Sequence, residues 1–426
     1  MTIEDAITHN NYLNAPRLSH SVGDVEGAFE SSNHKLLSEV RMGGQEHFYI
    51  ETNATYAKPV DNCREMEVYV SCQNLSHAQN SISRALGVGL NTISVHTKRL
   101  GGGFGGKEMR FHLLTGTIAV AANKFNRPVR CMLDRDEDMM HSGGRHAFLS
   151  KYKVGFESDG KINSVEIMGY QNSGCSVDLS IGVLARYVDQ AFNCYNFPNF
   201  KVIGHCMQTN TPSNTAFRGF GGPQAMLVAE DIITKVSDSL KLLPEDVRRV
   251  NMMKVGDRLP FGSDDKQILT DEHILQECFD KCNESFKIEE RRQRIKLFNE
   301  NSQWKKRGVS IVPTMYGIAF GPKFMNQGGA LVHIYTDGTV LVSHGGIEMG
   351  QGLYTKMIQI ASKVLNVPMD KIHTAETSTS TVPNASPTAA SYSSDINGWA
   401  VRKACEILKD RYFLNTIKCS AYLKLG

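Results

Sequence analysis

The sequence lacks the features by which membrane, secreted and nucleic-acid-binding proteins are usually identified. It has no run of 18 or more apolar residues, which argues against a membrane-spanning helix. It begins M-T-I-E-D-A-I, which is acidic where a signal peptide would be basic. A net charge of +3 over 426 residues gives no support to nucleic-acid binding. We therefore expect a cytoplasmic protein, with the peroxisome as the alternative, that binds neither nucleic acid nor membrane.

The cysteine spacing is also uninformative as a metal signature. The ten cysteines include no C-x-x-C pair, and the closest two, Cys278 and Cys282, are one helical turn apart. This pattern argues against a zinc or iron–sulfur site and fits free thiols in a reducing compartment. There is no repeat of fixed period either, so a solenoid is not expected.

Glycine is plentiful, and its most concentrated stretch is Leu100–Glu108, which reads L-G-G-G-F-G-G-K-E. Five glycines around one phenylalanine predict a loop, because glycine supplies no side chain to bury and loses the most backbone entropy on folding. Asn91–Thr97 before the loop alternates like a strand, and Leu113–Asn123 after it is typical of a buried helix. A strand, a glycine loop and a helix in this order predict a ligand-binding loop whose N–H groups can approach an anion.

Two nucleotide-binding loops match this stretch only in part. Gly101, Gly103 and Gly106 satisfy G-x-G-x-x-G, but the acidic residue expected about 20 positions later is missing. Gly101–Lys107 satisfies the first positions of a P-loop, but Glu108 stands where a hydroxyl residue should bind magnesium. A carboxylate would repel phosphates at that position, so both nucleotide interpretations are weak.

Three further small-residue loops each precede a predicted helix. They are Asn214–Pro223 before Ala225–Leu240, Gly345–Gly352 before Tyr354–Leu365, and Thr381–Asp395 before Ile396–Leu408. Each loop is predicted to present backbone N–H groups and a helix N-terminus to a ligand.

Strand and helix patterns alternate along the chain, which predicts an α+β protein. Residues 1–40 are polar and are interpreted as a linker or the tail of a preceding domain. Residues 41–265 and 266–426 are predicted to form two domains, with the boundary in the loop-like stretch Pro244–Asp265. The second domain contains the β-rich segment Ile311–Phe320 and a hairpin that turns at Asp337–Gly338.

Taken together, the loops resemble one enzyme family. The motifs are G-G-Q-E-H-F-Y-I-E-T, G-G-G-F-G-G-K-E, N-T-A-F-R-G-F-G-G-P-Q, H-G-G-I-E-M-G-Q-G and S-P-T-A-A-S, in that order. They resemble the molybdopterin-binding region of the xanthine dehydrogenase family, which belongs to the molybdenum hydroxylases, and the likeness is greatest to insect sequences. The resemblance spans about Thr2 to Arg411. It implies two mixed α/β subdomains of the molybdopterin-binding aldehyde oxidase/xanthine dehydrogenase type, the second one truncated.

The resemblance implies a molybdenum ion held by a pterin dithiolene, with oxo, sulfido and hydroxyl ligands. Gln73 matches the glutamine near the apical oxo group. Gln73, Phe104, Arg218 and Ala390 would lie near the molybdenum without being direct ligands. The residues implied to contact the cofactor are Gln73, Gly103, Phe104, Arg218, Met349, Gly350, Gln351, Ala390 and Ser391.

On the substrate side, the resemblance implies hydroxylation of hypoxanthine and xanthine to urate. Glu108 matches the catalytic glutamate that hydrogen-bonds the purine, and Arg186 matches the arginine that stabilises charge developing on the ring. Phe220 and Phe320 match two aromatic residues that sandwich the purine. The alternative interpretations are a helix-start acid for Glu108, a surface arginine for Arg186 and core aromatics for the phenylalanines. The family is also expected to be homodimeric.

The departures from the family pattern lead to two alternative functions. An aldehyde oxidase-like hydroxylase is one, although Glu108 and Arg186 together favour a purine substrate. Gly321 stands where mammalian relatives have a threonine, which implies a lost polar contact. The 2Fe-2S and FAD domains and the G-V-G-E-P-P segment with the general base do not occur in the sequence. We therefore expect a fragment with impaired or no activity, and the second alternative is a truncated, non-catalytic chain that only dimerises.

Overall fold

The structure, a computed structural model, describes residues 1–260, 268–270 and 274–422, with side chains described up to residue 411. Helices and sheets are mixed along the chain, which confirms the predicted α+β class. The predicted boundary loop Pro244–Asp265 begins with a helix instead, and its last residues, 261–265, lie outside the described residues. Among the residues that the structure describes, no helix is long and apolar enough to cross a membrane.

The strands are Leu18–Val22 (β1), His34–Met42 (β2), Ala54–Val60 (β3), Glu65–Val70 (β4), Ile93–Thr97 (β5), Val129–Met132 (β6), Phe148–Phe156 (β7), Ile162–Gly174 (β8), Asn199–Gln208 (β9), Ala330–Ile334 (β10), Val340–His344 (β11), Ile372–Thr374 (β12) and Thr377–Ser378 (β13). The helices are Ile3–Thr8 (α1), Val25–Ser31 (α2), Leu75–Leu86 (α3), His112–Phe125 (α4), Arg135–Ser142 (α5), Ser180–Gln190 (α6), Gly222–Leu240 (α7), Pro244–Asn251 (α8), Leu275–Phe286 (α9), Ile288–Asn301 (α10), Leu353–Leu365 (α11) and Ser393–Tyr422 (α12).

Residues 1–40, which the sequence analysis assigns to a linker or tail, contain α1, β1, α2 and most of β2. Helix α1 begins with a capping box formed by Thr2 and Asp5. Strand β2 pairs antiparallel with β7 along its whole length. Its side chains alternate between half-buried and exposed, so its composition is polar although its backbone is part of a sheet.

The chain divides into two compact units, and each is built from segments that are distant in sequence. The first unit comprises residues 1–45, 146–214 and 219–317. Its five-stranded sheet has the order β1-β9-β8-β7-β2, in which β8 and β9 are parallel and the other pairs are antiparallel. Its core includes Leu184 of α6, Ile232 of α7 and Val202 of β9, all fully buried.

The second unit comprises residues 46–145, 215–218 and 318–426. Its larger sheet has the order β13-β5-β4-β3-β6, with β4 and β5 parallel and joined through α3. Buried side chains of α3 and α4, such as Ile82 and Ala119, pack with Val68 and Val95 of the sheet. Strand β5 leads directly into the first glycine loop and α4 follows it, which confirms the predicted strand–loop–helix order.

A smaller sheet of the second unit has the order β10-β11-β12. The predicted hairpin at Asp337–Gly338 is confirmed, since β10 and β11 pair antiparallel on either side of it. Residues Val342, Met357 and Val401 form the core between this sheet and helices α11 and α12.

The segment Ile311–Phe320, expected to be β-rich, contains no strand in the part of the chain that the structure describes. The carbonyl oxygen of Pro313 accepts a hydrogen bond from the Asn193 side chain (3.1 Å). That of Met315 accepts one from Gln190. Side-chain amides therefore satisfy this backbone where a neighbouring strand would otherwise do so.

Candidate functional site

The first glycine loop is a chain of turns in the second unit. Gly102, Phe104 and Gly105 all have positive φ angles, of 93°, 53° and 100°. Phe104 is costly in this conformation because it carries a Cβ atom, so the surroundings must hold it there. The carbonyl oxygen of Phe104 accepts a hydrogen bond from the N–H of Arg218 (2.8 Å). Two of the predicted cofactor-binding residues are thus directly joined.

Lys107 of this loop does not have the exposed ammonium group that a P-loop lysine presents to phosphate. Its side chain is fully buried, with Nζ 2.7 Å from the Ser71 hydroxyl and 3.2 Å from the Glu51 carboxylate. The ammonium also lies 4.6 Å from the centre of the Tyr49 ring. Burial lowers the pKa of Lys107, and the Glu51 carboxylate counteracts part of that effect. The lysine is therefore part of the support of the loop, as the weak P-loop match suggests.

Glu51 joins the two ends of the same loop. Besides Lys107, its carboxylate accepts the N–H of Gly101 (2.7 Å), and its own N–H donates to the Gly101 carbonyl oxygen (3.1 Å). The stretch His47–Thr52 has the apolar pattern of a strand but is irregular in the structure. The N–H of Glu51 bonds to the glycine loop, and the Arg135 side chain donates to the carbonyl oxygens of Tyr49 and Ile50, which a neighbouring strand would otherwise satisfy.

Gln73 connects the first glycine loop to the loop that precedes α12. Its side chain accepts the N–H of Gly105 (2.9 Å) and donates to the carbonyl oxygen of Thr388 (3.1 Å). Its backbone N–H donates to Lys107, and its carbonyl oxygen accepts the N–H of Thr388. The Thr388 hydroxyl accepts the N–H of Ile347 (2.8 Å), at the start of a third loop. Three of the predicted ligand-binding loops therefore meet around Gln73.

The loop before α11 is already bonded to a carboxylate of its own. Glu348 is buried and accepts the N–H groups of Gly350 (2.9 Å), Gly352 (3.0 Å) and Tyr354 (2.9 Å). Burial would raise the pKa of Glu348, but these donors, with Arg99 nearby, outweigh it and lower the pKa. A helix N-terminus that was expected to present these amides to a ligand thus binds a side chain instead.

The three predicted cofactor residues of this loop, Met349, Gly350 and Gln351, differ in what surrounds them. The Gln351 side chain accepts the N–H of Met349 (2.6 Å) and donates to the Ile347 carbonyl oxygen (2.9 Å), so it braces its own loop. Gly350 has a φ of 100°, and no atom of the described residues lies within 4 Å of the position that a Cβ atom would take. This loop therefore offers open space at Gly350 and a half-buried apolar side chain at Met349.

The backbone of the second unit does fit an anionic group at five positions. The N–H groups of Gly102, Gly103 and Phe104 have no acceptor among the described residues, and the same holds for Ala390 and Ser391. Ala390 and Ser391 have successive φ angles of 56° and 54°. Such turns form concave nests of N–H donors that suit an anion. At Gly103, an added Cβ atom would lie 2.6 Å from Gln73 Oε1, so only glycine fits beside that side chain.

Arg218 belongs to a short segment, residues 215–218, that is held by a stack of rings in the second unit. The His47 and Phe217 rings are stacked, with their centres 4.4 Å apart. The guanidinium carbon of Arg145 lies 3.9 Å from the centre of the Phe217 ring. His47 Nε2 donates to the Ala216 carbonyl oxygen (2.7 Å), and Arg145 donates to that of Arg218 (2.9 Å). Burial lowers the pKa of His47 to about 4, so the ring is neutral at pH 7.

Two of the four predicted substrate residues lie in the second unit. Glu108 is buried, and its N–H donates to the Gly105 carbonyl oxygen (3.2 Å), which fixes it at the end of the first loop. Phe320 is half-buried, and the Asn326 side chain bonds both its N–H (2.9 Å) and its carbonyl oxygen (2.8 Å). Beside Phe320, a Cβ atom added at Gly321 would have no neighbour within 4 Å in the part of the chain that the structure describes.

The other two, Arg186 and Phe220, lie in the first unit. The Phe220 ring packs against Gly182 of α6, where an added Cβ atom would lie 3.1 Å from it. Arg186 is one turn further along α6, and its guanidinium lies 5.3 Å from the centre of the Tyr316 ring. The Tyr316 hydroxyl donates to the Gly219 carbonyl oxygen (2.7 Å). Arg186 and Phe220 are thus linked through a tyrosine that the sequence analysis does not identify.

Sequence reasoning also misses Glu51, Glu348 and Asn326 as supports of these loops. Each bonds backbone groups near a glycine turn, at positions that have no fixed spacing from the residues they hold. The one available signal is at Glu348, an acid just before a helix start, which is a common N-terminal capping arrangement. Glu51 lies 50 positions from its partner Gly101, so no local pattern could indicate that contact.

Comparison with known proteins agrees with these loops. Residues 3–252 match a family model described as a molybdopterin cofactor-binding domain, and residues 281–416 match a second model with that description. Over 411 residues the chain is 51% identical to xanthine dehydrogenase/oxidase of Gallus gallus and 46% identical to aldehyde oxidase 2 of Cavia porcellus. Each match covers 96% of this chain and 30% of the relative. The chain thus spans about a third of the length of these curated relatives.

Among solved structures, the aldehyde oxidoreductase from Desulfovibrio desulfuricans is similar, with a TM-score of 0.83 and 23% sequence identity. The match covers 96% of this chain and 45% of that chain. At this level of identity the likeness shows a shared fold, and it confirms the predicted fold type.

Proposed function

We propose that this chain, which belongs to the molybdopterin cofactor-binding domain family, provides the molybdenum-cofactor-binding part of a xanthine dehydrogenase. Such an enzyme hydroxylates hypoxanthine and xanthine to urate in purine catabolism, with oxygen from water. The observation that carries the proposal is the meeting of three loops around Gln73, beside N–H groups that no described residue accepts. A first cofactor-binding domain over residues 41–265 and a second over 266–426 are part of this proposal.

The residues that would hold the cofactor are those with unaccepted amides and their neighbours. Gly103 and Phe104 would donate from the first loop, and Ala390 and Ser391 from the loop before α12. Gln73 has one amide hydrogen left after its bond to Thr388. Gly350, which follows Met349 in the sequence, leaves open space among the described residues. When bound, the cofactor supplies two-electron redox chemistry. The protein supplies anion binding and orientation.

The substrate residues have roles that follow from charge and shape. Arg186 would stabilise negative charge that develops on the heterocycle, since a fixed cation acts where charge appears in the transition state. Glu108 would hydrogen-bond the purine and stabilise its changing protonation. Phe220 and Phe320 would hold the flat ring in a reactive orientation. These assignments, and those of Arg218, Met349 and Gln351 at the cofactor, rest on the matched motifs.

Cofactor loading is the most direct test. The chain is co-expressed with the molybdopterin biosynthesis proteins, and molybdenum and pterin are measured per purified chain. We expect both to be retained. Gly103→Ala should lose them, because its Cβ atom would press on Gln73, which two hydrogen bonds hold in place. Gly321→Ala is the control, since its Cβ atom would come within 4 Å of none of the described residues. A well-folded chain without molybdenum would contradict the proposal.

An aldehyde oxidase-like hydroxylase is the alternative, and 46% identity to an aldehyde oxidase means that overall similarity does not decide between them. The presence of both Glu108 and Arg186 favours a purine. Oxidation of hypoxanthine and of benzaldehyde by the loaded chain, with an artificial electron acceptor, distinguishes the two. Arg186→Met should reduce purine turnover more than aldehyde turnover. An equal loss on both substrates would favour the aldehyde function.

Electron transfer and assembly complete the proposal. In the full enzyme, electrons would pass to 2Fe-2S centres and FAD in other domains, and we expect a cytoplasmic homodimer. The G-V-G-E-P-P segment with the general base is not found in these 426 residues, so turnover by this chain alone should be weak. A non-catalytic chain that only dimerises would co-purify with a full-length xanthine dehydrogenase and would form no urate of its own.

A further inference from the structure

Tyr316 makes two contacts in the first unit that no motif predicts. Its hydroxyl donates a hydrogen bond to the Gly219 carbonyl oxygen at 2.7 Å. Its ring lies under the Arg186 guanidinium, 5.3 Å from ring centre to the guanidinium carbon. Gly219 immediately precedes Phe220, so one side chain contacts Arg186 directly and the backbone beside Phe220.

The backbone around Phe220 needs support. Gly219, Phe220 and Gly221 have successive φ angles of 97°, 53° and 91°, all in the left-handed region. Two of these residues are glycines, which adopt such angles easily, but Phe220 does so at a cost in free energy. A strained conformation of this kind persists only where its surroundings fix it. The Gly219 carbonyl oxygen accepts both the Tyr316 hydroxyl and the N–H of Gly222 (3.0 Å), so it closes the turn.

Three glycines leave the room that this arrangement occupies. An added Cβ atom would lie 2.6 Å from the Tyr316 ring at Gly222, 2.7 Å from the Arg186 Nη1 atom at Gly317, and 3.1 Å from the Phe220 ring at Gly182. Gly182 and Arg186 are four residues apart on α6 and share one face of the helix. Each of the three side chains therefore occupies space that a different glycine leaves free.

We propose that Tyr316 is a positioning residue that sets the geometry of Arg186 and Phe220 and so determines which flat heterocycles they accept. The proposal rests on the proposed function, because it takes these two residues as substrate contacts. A guanidinium that lies on an aromatic ring is restrained in its plane, which limits the directions in which its N–H groups can donate. The hydroxyl, in turn, fixes the turn from which the Phe220 ring projects.

Two variants separate these effects. Tyr316→Phe removes the hydroxyl and keeps the ring under Arg186, whereas Tyr316→Leu removes both. The first readout is amide hydrogen exchange of the peptide that covers residues 217–227, in protein without cofactor. Tyr316→Phe should speed exchange at Gly222 by about tenfold, which is the range expected for the loss of one neutral hydrogen bond. Tyr335→Phe, at an exposed tyrosine of the second unit, is the control and should change nothing.

The second readout is the KM and kcat of cofactor-loaded protein for hypoxanthine, with an artificial acceptor. Tyr316→Phe should raise KM several-fold with little change in kcat, and Tyr316→Leu should lower kcat as well, because Arg186 loses the aromatic ring on which it lies. Unchanged exchange in Tyr316→Phe would overturn the positioning role, as would faster exchange with unaltered KM in both variants. If the parent protein does not bind hypoxanthine at all, the proposed function fails, and the exchange result still decides whether Tyr316 fixes the turn.

Discussion

The side-chain amide of Gln73 donates to the carbonyl oxygen of Thr388, 315 positions later in the chain, at a distance of 3.1 Å. The same side chain accepts the N–H of Gly105 at 2.9 Å, and only 3% of the residue is exposed. One buried amide therefore joins two loops that approach each other only in the folded protein. Because both of its polar ends are used, the position tolerates neither an apolar residue nor a carboxylate well.

Replacement of Gln73 by alanine should lower the free energy of unfolding by about 2–4 kcal/mol, because it leaves a buried N–H and a buried carbonyl oxygen unpaired. Gln73→Glu should also destabilise, since a carboxylate can accept from Gly105 but cannot donate to Thr388. Urea unfolding followed by circular dichroism measures both. Gln327→Ala is the matched control, because Gln327 makes an exposed hydrogen bond of 3.3 Å. Equal stability of the Gln73 and Gln327 variants would contradict this assignment.

Replacement of Glu51 should destabilise the protein more than replacement of its partner Lys107. The Lys107 side chain is fully buried, whereas 32% of the Glu51 side chain is exposed. Glu51→Gln leaves a buried ammonium group without its carboxylate. It should lower the free energy of unfolding by about 3–5 kcal/mol, the range for breaking a buried ion pair. Lys107→Met leaves a carboxylate that water can reach and that still accepts from Gly101, so it should cost about half as much. The double variant should be more stable than Glu51→Gln alone.

The pH dependence of Glu51→Gln follows from the same pair. Burial already lowers the pKa of Lys107, and removal of the Glu51 charge should lower it further. The unfolded state then binds the proton more tightly than the folded state, so stability must rise with pH. The free energy of unfolding, measured with urea at pH 7 and pH 9, should increase more between these values for Glu51→Gln than for the parent. A gain equal to that of the parent would indicate that Lys107 is not the group responsible.

The sequence allowed the strands and helices around the glycine loops to be predicted, because those elements carry their own periodicity. Helices α4, α7 and α11 lie where their apolar pattern and the preceding glycines predict them. Strand β2 was not recognised, since an alternating, half-exposed strand resembles a polar linker. Ile311–Phe320 has a strand-like composition but pairs with no strand among the described residues. Pairing is a property of the fold that local sequence does not contain.

The site was predictable to a similar extent. Gly103, Phe104, Ala390 and Ser391 lie in loops that meet through Gln73, as the motifs suggest, and their assignment to the cofactor stays a prediction. The loop before α11 was misjudged in one respect, because Glu348 takes up three of its N–H groups. A carboxylate two to six residues away from its donors competes with any ligand for them. Composition alone cannot show whether the loop binds this carboxylate or a ligand.

Two buried histidines should make the protein less stable as the pH falls. Burial lowers the pKa of His47 and of His344 to about 4, from an ordinary value of 6.5. His344 is buried, and its Nδ1 atom accepts the N–H of Gly346 at 3.1 Å, which requires the neutral ring. The unfolded state takes up protons below pH 6.5 while the folded state does not, so stability falls between about pH 6.5 and 4. Each histidine contributes at most about 1.4 kcal/mol per pH unit.

Urea unfolding at pH 7.5 and pH 5.5 tests this dependence. The parent should lose stability at the lower pH, and His344→Gln should lose less between the two values while being less stable at both. His333→Gln, at an exposed histidine of β10, should keep the dependence of the parent. If His344→Gln and His333→Gln show the same change with pH, the buried ring at 344 is not a source of the effect.

Gly105 and Gly338 separate the two reasons for which a loop requires glycine. Both have positive φ angles, 100° and 82°, so alanine is strained at either position. An added Cβ atom at Gly338 would have no described neighbour within 4 Å, whereas at Gly105 it would lie 2.6 Å from the Ala216 carbonyl oxygen. Gly338→Ala should therefore cost about 1–2 kcal/mol from the backbone angle alone. Gly105→Ala should cost more and should also displace residues 215–218, since Arg218 bonds to Phe104 beside it.

Unfolding measurements on both variants, with tryptic cleavage at Arg218 as the local readout, test this difference. If both variants lose the same free energy of unfolding and are cleaved at Arg218 at the same rate, the first loop is free to move away from Ala216.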